Sequence, residues 1–202
     1  MREYAANYYN SLRKLFDSIG VTDRNKNASN VYTGIESAGY IILAGAKSEK
    51  KLMFIGNGAS AAISSHMATD FLKNGGIRAI AFNDSSLLTC ISNDYGYIHV
   101  FEKPIEMLAD TGDVLIAISS SGRSENILRG VQSALIKGCK VITLSGFDGN
   151  NPLRLQGDLN FYVPSQQYGP VEIIHHSICH CILDAIINSK NSTGLLYKKE
   201  PY

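Results

Sequence analysis

The chain reads as an α/β protein in which a parallel sheet is wound on both faces by helices. Two observations predict this. From Lys51 onward, short apolar runs of strand length alternate with segments of helical period, and repeated strand-helix units build parallel sheets. Two of these runs, KLMFI and DVLIAI, also pass directly into small, hydroxyl-rich turns that open helical patterns. These turns are Gly56-Asn57-Gly58-Ala59-Ser60 and Ser119-Ser120-Ser121-Gly122-Arg123-Ser124.

Taken in order, Tyr4, Tyr8, Leu12, Leu15, Phe16 and Ile19 recur at helical spacing, and Val31, Ile35, Ala38 and Ile42 share one face of a second helix. Two leading helices therefore occupy residues 1–48. LMFI then precedes a helix over 60–73, RAIAF one over 85–92, DVLIAI one over 124–137, and LNFYV one over 171–188, with KVITL as a further strand. Gly75-Gly76, Thr111-Gly112-Asp113 and Lys137-Gly138 punctuate these units as turns. The last stretch, 190–202, has no period and reads as a loose or oligomer-contacting tail. Residues 1–202 are expected to form one domain, without repeats or low-complexity segments.

At 202 residues, 45% hydrophobic and 18% charged, the chain can bury a sizeable core. A net charge of +1 with interspersed signs carries no footprint for nucleic acid or an anionic membrane. The expected partner is a small molecule. The polar start, MREYAANYYNSLRK, lacks a signal-peptide core, and no apolar run approaches the ~20 residues of a membrane span, so a cytoplasmic protein is expected. Cys90, Cys139, Cys179 and Cys181 lie within apolar patterns rather than at framework spacings and read as buried free thiols.

The two turns can aim free backbone N–H groups, serine hydroxyls and two positive helix ends at one anion, which points to phosphate. Neither turn is a P-loop, and GNGAS lacks the third glycine of a dinucleotide fingerprint, so no nucleotide cofactor is expected. In open α/β sheets ligands sit beyond the carboxyl ends of the strands, where Ser60, Ser119, Ser121 and Ser124 fall. The plain alternative is that these serines are only helix N-caps and turn formers.

His66 and Asp70 lie four apart on the helix after GNGAS. On the last helix Glu172, His176 and His180 repeat at intervals of four, beside His175, in the otherwise apolar run EIIHHSICHCILDAII. Such a stripe needs partners, either at an interface or in a functional site. If the two helices face each other, His66, Asp70, Glu172 and His180 suit a divalent metal. The same groups suit proton transfer between adjacent carbons of a sugar.

The motifs GNGAS with His66, SNDYG at 92–96, SSSGRSEN at 119–126, VITLSGFDG at 141–149 and the closing helix through His180 together resemble the sugar isomerase (SIS) domain family, and within it the bacterial phosphoheptose isomerases. The resemblance implies a doubly wound, five-stranded parallel sheet flanked by helices. It also implies a homotetramer with sites between subunits, and aldose-ketose isomerisation through an enediol for surface-polysaccharide heptose. It places phosphate on Ser60, Ser119, Ser121 and Ser124, with Asn57 and Asp94 close to the sugar, and Gly58 and Ser120 are counted with them as expected substrate-binding residues. It places zinc on His66, Asp70, Glu172 and His180, and catalysis on Asp70, His180 and Glu172. Two family positions differ: a glutamate base is Asp70 here, and a glutamine is Glu172. Either Asp70 keeps the base role, which is the reading preferred, or it serves as ligand while Glu172 takes the proton. Gly169-Pro170-Val171 replaces an Asp-Arg pair, so contacts to sugar hydroxyls are expected to differ. SIS folds also occur as phosphosugar-sensing or protein-binding modules, including a replication initiator-associating protein, and a non-catalytic module is the competing expectation. Retention of both imidazoles and both carboxylates favours chemistry.

Overall fold

The computed structural model describes residues 1–192. Its five parallel strands are β3 (Leu52–Gly56), β4 (Ala79–Ala81), β5 (Val114–Ser119), β6 (Lys140–Ser145) and β7 (Leu159–Tyr162). They match the five apolar runs of the sequence. Two further strands extend the sheet, β1 (Gly20–Asp23) antiparallel to β7 and β2 (Ala28–Ser29) antiparallel to β1, giving the order β2-β1-β7-β6-β5-β3-β4. The expected five-stranded sheet therefore becomes seven-stranded. The Asp23 carboxylate accepts the backbone N–H groups of Asn25 and Asn27 at 2.8 Å, closing a turn that folds β2 back on β1, and β1 pairs with the edge that β7 presents.

The helices are α1 (Arg2–Asp17), α2 (Val31–Lys47), α3 (Ala59–Lys73), α4 (Ser85–Tyr95), α5 (Glu102–Leu108), α6 (Glu125–Ile136) and α7 (Tyr168–Ser192). The short α5 was not expected. It buries Pro104 and Ile105, too brief a stripe to register as a period. Helix α7 runs past the expected end at 188, so residues 190–192 of the supposed tail are helical; the rest of that segment lies outside the described residues.

The central strands read as continuous apolar runs because both faces are covered. Their alternation splits the core into two layers. Leu52 and Phe54 of β3, with Val114, Ile116 and Ile118 of β5, pack under α2, α3 and α7 beside Phe71, Ile174 and Ile182. Met53 and Ile55, with Leu115 and Ala117, pack under α4, α5 and α6 beside Phe101, Ile105 and Val131. Burying one Ile or Phe side chain contributes about 1.5–3 kcal/mol, so these layers hold α3 and α7 firmly against the sheet. Helix α1 contributes no fully buried residue; Leu12, Leu15 and Phe16 only lean on the core. Length and composition would let α7 cross a membrane, but half of its most apolar window is buried within this fold.

The chain winds from β3 outward to β4, then returns to place β5 on the other side of β3. That reversal opens a crevice beyond the carboxyl ends of β3 and β5, and both serine-bearing turns leave the sheet there.

Candidate active site

Two glycines fix the turns. A Cβ on Gly56 would stand 2.5 Å from the Ser60 carbonyl oxygen, so only glycine lets the strand fold so tightly onto α3. Gly122 has φ +62°, and a Cβ there would fall 1.9 Å from Asn151 Oδ1. Asn151 is fully buried and donates from Nδ2 to the Asp148 carbonyl at 2.8 Å and to Ser145 Oγ at 3.1 Å. The segment after β6 thereby backs the serine turn, reinforced by the Gly146 N–H donating to the Ser120 carbonyl at 2.9 Å.

The N-cap alternative can be judged by comparison within the molecule. Helices α2 and α4 carry side-chain caps: Asn30 accepts from the Thr33 N–H, and Asp84 from the Leu87 N–H. Helix α3 starts from Gly58, which has no side chain, and the Ser124 hydroxyl does not cap α6. The first N–H groups of these two helices are left to face the crevice, where an anion can accept them.

The turns are clasped together. Asn57 and Asn126 exchange a reciprocal pair of amide hydrogen bonds, both 2.9 Å, and the Tyr97 hydroxyl donates to Asn57 Oδ1 at 3.0 Å. Over this clasp lies a cavity of about 220 Å³. It is lined by Asn57, Gly58 and Ser60 of the first turn, Ser119, Ser120, Ser121 and Ser124 of the second, and Tyr168 and Glu172 of α7. Asp94 is not among them: it sits exposed at the end of α4, where its carboxylate accepts from Asn93 Nδ2 at 2.9 Å. Arg123 is turned aside into a 2.6 Å ion pair with Asp148, whose carboxyl is held below its ordinary value by the Asn150 backbone N–H and by that guanidinium.

A second groove, about 510 Å³, adjoins the first and shares Ala59 and Glu172 with it; His66, His176 and His180 line it. One ligand atom from each of the three histidines lies within 4.8 Å of the others. The cluster differs from the expected set of His66, Asp70, Glu172 and His180. Asp70 lines neither cavity; its Oδ2 is 3.2 Å from His66 Nε2, and its Oδ1 accepts from Asn74 Nδ2 at 3.3 Å. Glu172 lies one turn before His176 and lines both the serine cavity and the histidine groove. Burial, with the neighbouring His180 and His66, lowers the pKa of His176, so its imidazole favours the neutral, ligating form. Its Nε2 is buried with no hydrogen-bond partner. Three imidazoles and a buried free nitrogen fit a divalent cation such as zinc.

His175 points the other way. It is fully buried, its Nε2 lies 3.1 Å from the Ser145 carbonyl, and burial lowers its pKa to about 4. The thiols divide: Cys139 and Cys179 are buried, with pKa values pushed by burial to about 11 and about 12, whereas Cys90 and Cys181 are exposed, contrary to expectation. Cys181 stands on the side of α7 turned from the sheet, a distinction its apolar neighbours conceal.

Sequence reasoning overlooked Asn126, Tyr97 and Tyr168 at this site, and it left His176 out of the metal set. Asn126 lay inside the quoted SSSGRSEN motif, and His176 stood in the four-residue stripe. Tyr97 and Tyr168 had no local signal.

A doubly wound sheet whose switch point carries two uncapped helix starts defines an α/β protein with a crevice suited to an anion. The model of the family described as the SIS domain matches residues 7–146. A phosphoheptose isomerase from a Nitratiruptor species is 40% identical over 161 residues, covering 77% of this chain and 86% of the relative. Among solved structures, the phosphoheptose isomerase of Francisella tularensis matches with a TM-score of 0.81 at 27% identity, covering 94% of this chain and 99% of that one. The phosphoheptose isomerase GmhA of Neisseria gonorrhoeae matches with 0.79 at 29% identity, covering 92% and 98%. The chain belongs to the SIS domain family, in its phosphoheptose isomerase branch.

Proposed function

We propose that this protein interconverts the ketose sedoheptulose 7-phosphate and the aldose D-glycero-D-manno-heptose 7-phosphate through an enediol, serving heptose and surface-polysaccharide synthesis in the cytoplasm. The observation that carries the reading is the meeting of both serine turns with a carboxylate, Glu172, in one cavity. Phosphate is bound by the open N–H groups of α3 and α6 and by the hydroxyls of Ser60, Ser119, Ser121 and Ser124. Burial of Ser60, Ser119 and Ser120 excludes water around it and strengthens each of these hydrogen bonds. The open-chain sugar extends from the phosphate toward α7.

Glu172 is the base in this reading, in preference to Asp70, because it lines the cavity while Asp70 is engaged by His66 and Asn74. It removes a proton from C1 of the ketose as the C2 oxygen gains one. It then returns a proton to C2 as the C1 hydroxyl gives one up, leaving the aldehyde. Without a bound cation, the imidazoles of the adjoining groove, His180 among them, hold or move the proton at the two oxygens. A zinc ion, when bound by that histidine group, supplies positive charge that stabilises the developing enediolate. Exposed Tyr4, Tyr9, Tyr32 and Tyr40 on α1 and α2 offer apolar surface for a homo-oligomer, proposed as a tetramer; light scattering would measure its mass.

The test is NMR of the purified protein with sedoheptulose 7-phosphate in heavy water, with and without zinc. Aldose formation with deuterium appearing at C2 is the expected result. Binding without conversion or exchange would overturn the isomerase reading in favour of a sensing or protein-binding module.

A further inference from the structure

We propose that this chain holds a divalent cation on three imidazoles, those of His66, His176 and His180, with Asp70 as the positioning residue for His66 and Glu172 outside the coordination. Only the part given to Glu172 rests on the isomerase reading above. The geometry comes first. Two of the three ligands, His176 and His180, stand one turn apart on a single face of α7, and His66 meets them from α3, with ring centroids 4.6–5.3 Å apart. Their ligand atoms, within 4.8 Å of one another, need close only to the ~3.3 Å that separates ligands around zinc at about 2.0–2.1 Å, a rotamer adjustment on a half-open surface.

Availability separates His176 from Asp70. Its Nε2 is buried and accepts nothing, a costly state that a cation relieves. Asp70 holds Oδ2 3.2 Å from His66 Nε2 while Oδ1 accepts from Asn74 Nδ2. That places Asp70 to take the Nε2–H when the His66 ring turns Nδ1 to a cation, the usual part of a carboxylate behind a ligating histidine. The shortened Asp70 and the extra carboxylate at Glu172 thus become one arrangement: a histidine takes the ligand position, one acid stands behind the metal ligands, and the other faces the substrate. Three neutral ligands leave the cation its full charge and an open position, as in catalytic zinc sites, and imidazoles select zinc or cobalt over magnesium.

The experiment is equilibrium titration of the chelator-stripped full-length protein with Co²⁺, read by its visible absorption, followed by competition with Zn²⁺. One equivalent is expected to bind. His176→Ala, and His176→Gln to keep the volume, should weaken binding at least ~100-fold, and Asp70→Asn by about 10–100-fold, while Glu172→Gln stays within about 3-fold of wild type. Circular dichroism reports whether each variant is folded. Wild-type affinity in the folded His176 variants would overturn the proposal, as would Glu172→Gln weakening binding as much as they do. A wild-type protein that takes up no Co²⁺ overturns the site without touching the isomerase reading, which turnover in chelator tests separately. Cobalt bound as expected by a protein that turns over no heptose phosphate upholds the site and removes that reading.

Discussion

The two halves of the site are built by different means. The phosphate half is made of contiguous backbone at two strand ends, with Ser119 and Ser120 each 6% exposed and glycines wherever a Cβ would collide. The histidine half contains no backbone donor. It consists of side chains from two helices about a hundred residues apart in sequence, and the His66 side chain is 52% exposed. The first is a rigid electrostatic cradle whose geometry the sheet register enforces. The second is an adjustable cluster in which one ligand can replace another without disturbing the fold, and the ligand set proposed above, with His176 in and Asp70 behind His66, is an exchange of that kind.

The largest expected effect tests the boundary between the halves. Glu172→Gln should lower turnover by about 10²–10⁴-fold while leaving competitive inhibition by inorganic phosphate within a few-fold. Should Asp70→Asn abolish turnover while Glu172→Gln spares it, the base would belong to the histidine half and the division drawn here would fail. Next, Gly122→Ala probes the rigidity of the cradle. Left-handed backbone and the collision with Asn151 together should destabilise the protein by about 2–4 kcal/mol in urea denaturation. A loss below about 0.5 kcal/mol would show a turn free to move.

A smaller change is expected from Asn126→Ala, which leaves Asn57 without its amide partner. About 1–2 kcal/mol of stability should be lost, with phosphate affinity falling several-fold in the same inhibition assay. Unchanged phosphate affinity would mean that the turns hold their spacing without the clasp. The smallest effect is on the stability of the metal-stripped protein. Because His66 is half-exposed, His66→Ala should shift chemical unfolding by no more than about 0.5 kcal/mol, even though cation affinity falls. A larger loss would make His66 part of the core and blur the contrast.

Where the sequence was legible, the signal was local. The strands around Phe54 and Ile116 and the helices after Gly58 and Ser124 could be read because an apolar run ending in a glycine-bearing turn has few alternative conformations. The residues missed have distant causes. Tyr97 reaches Asn57 across 40 positions, and Asn126 meets it across 69. Strand β1 is a strand because β7 presents an edge to it, not because GVTD has any period. Asp94 looked like a sugar contact only by its motif, and the turn of α4 carries it elsewhere.

The sequence by itself determined the α/β class, the five parallel strands, the two glycine-bearing serine turns and the polar stripe on α7, because each depends on periodicity and turn chemistry within a few residues. The tertiary structure alone decided that Glu172 lines the serine cavity as well as the histidine groove, that Asp70 turns to His66, and that His176 joins the imidazole cluster. Those choices depend on how α3 and α7 are rotated about their axes, and that rotation is set by the packing of Phe71, Ile174 and Ile182 on the sheet.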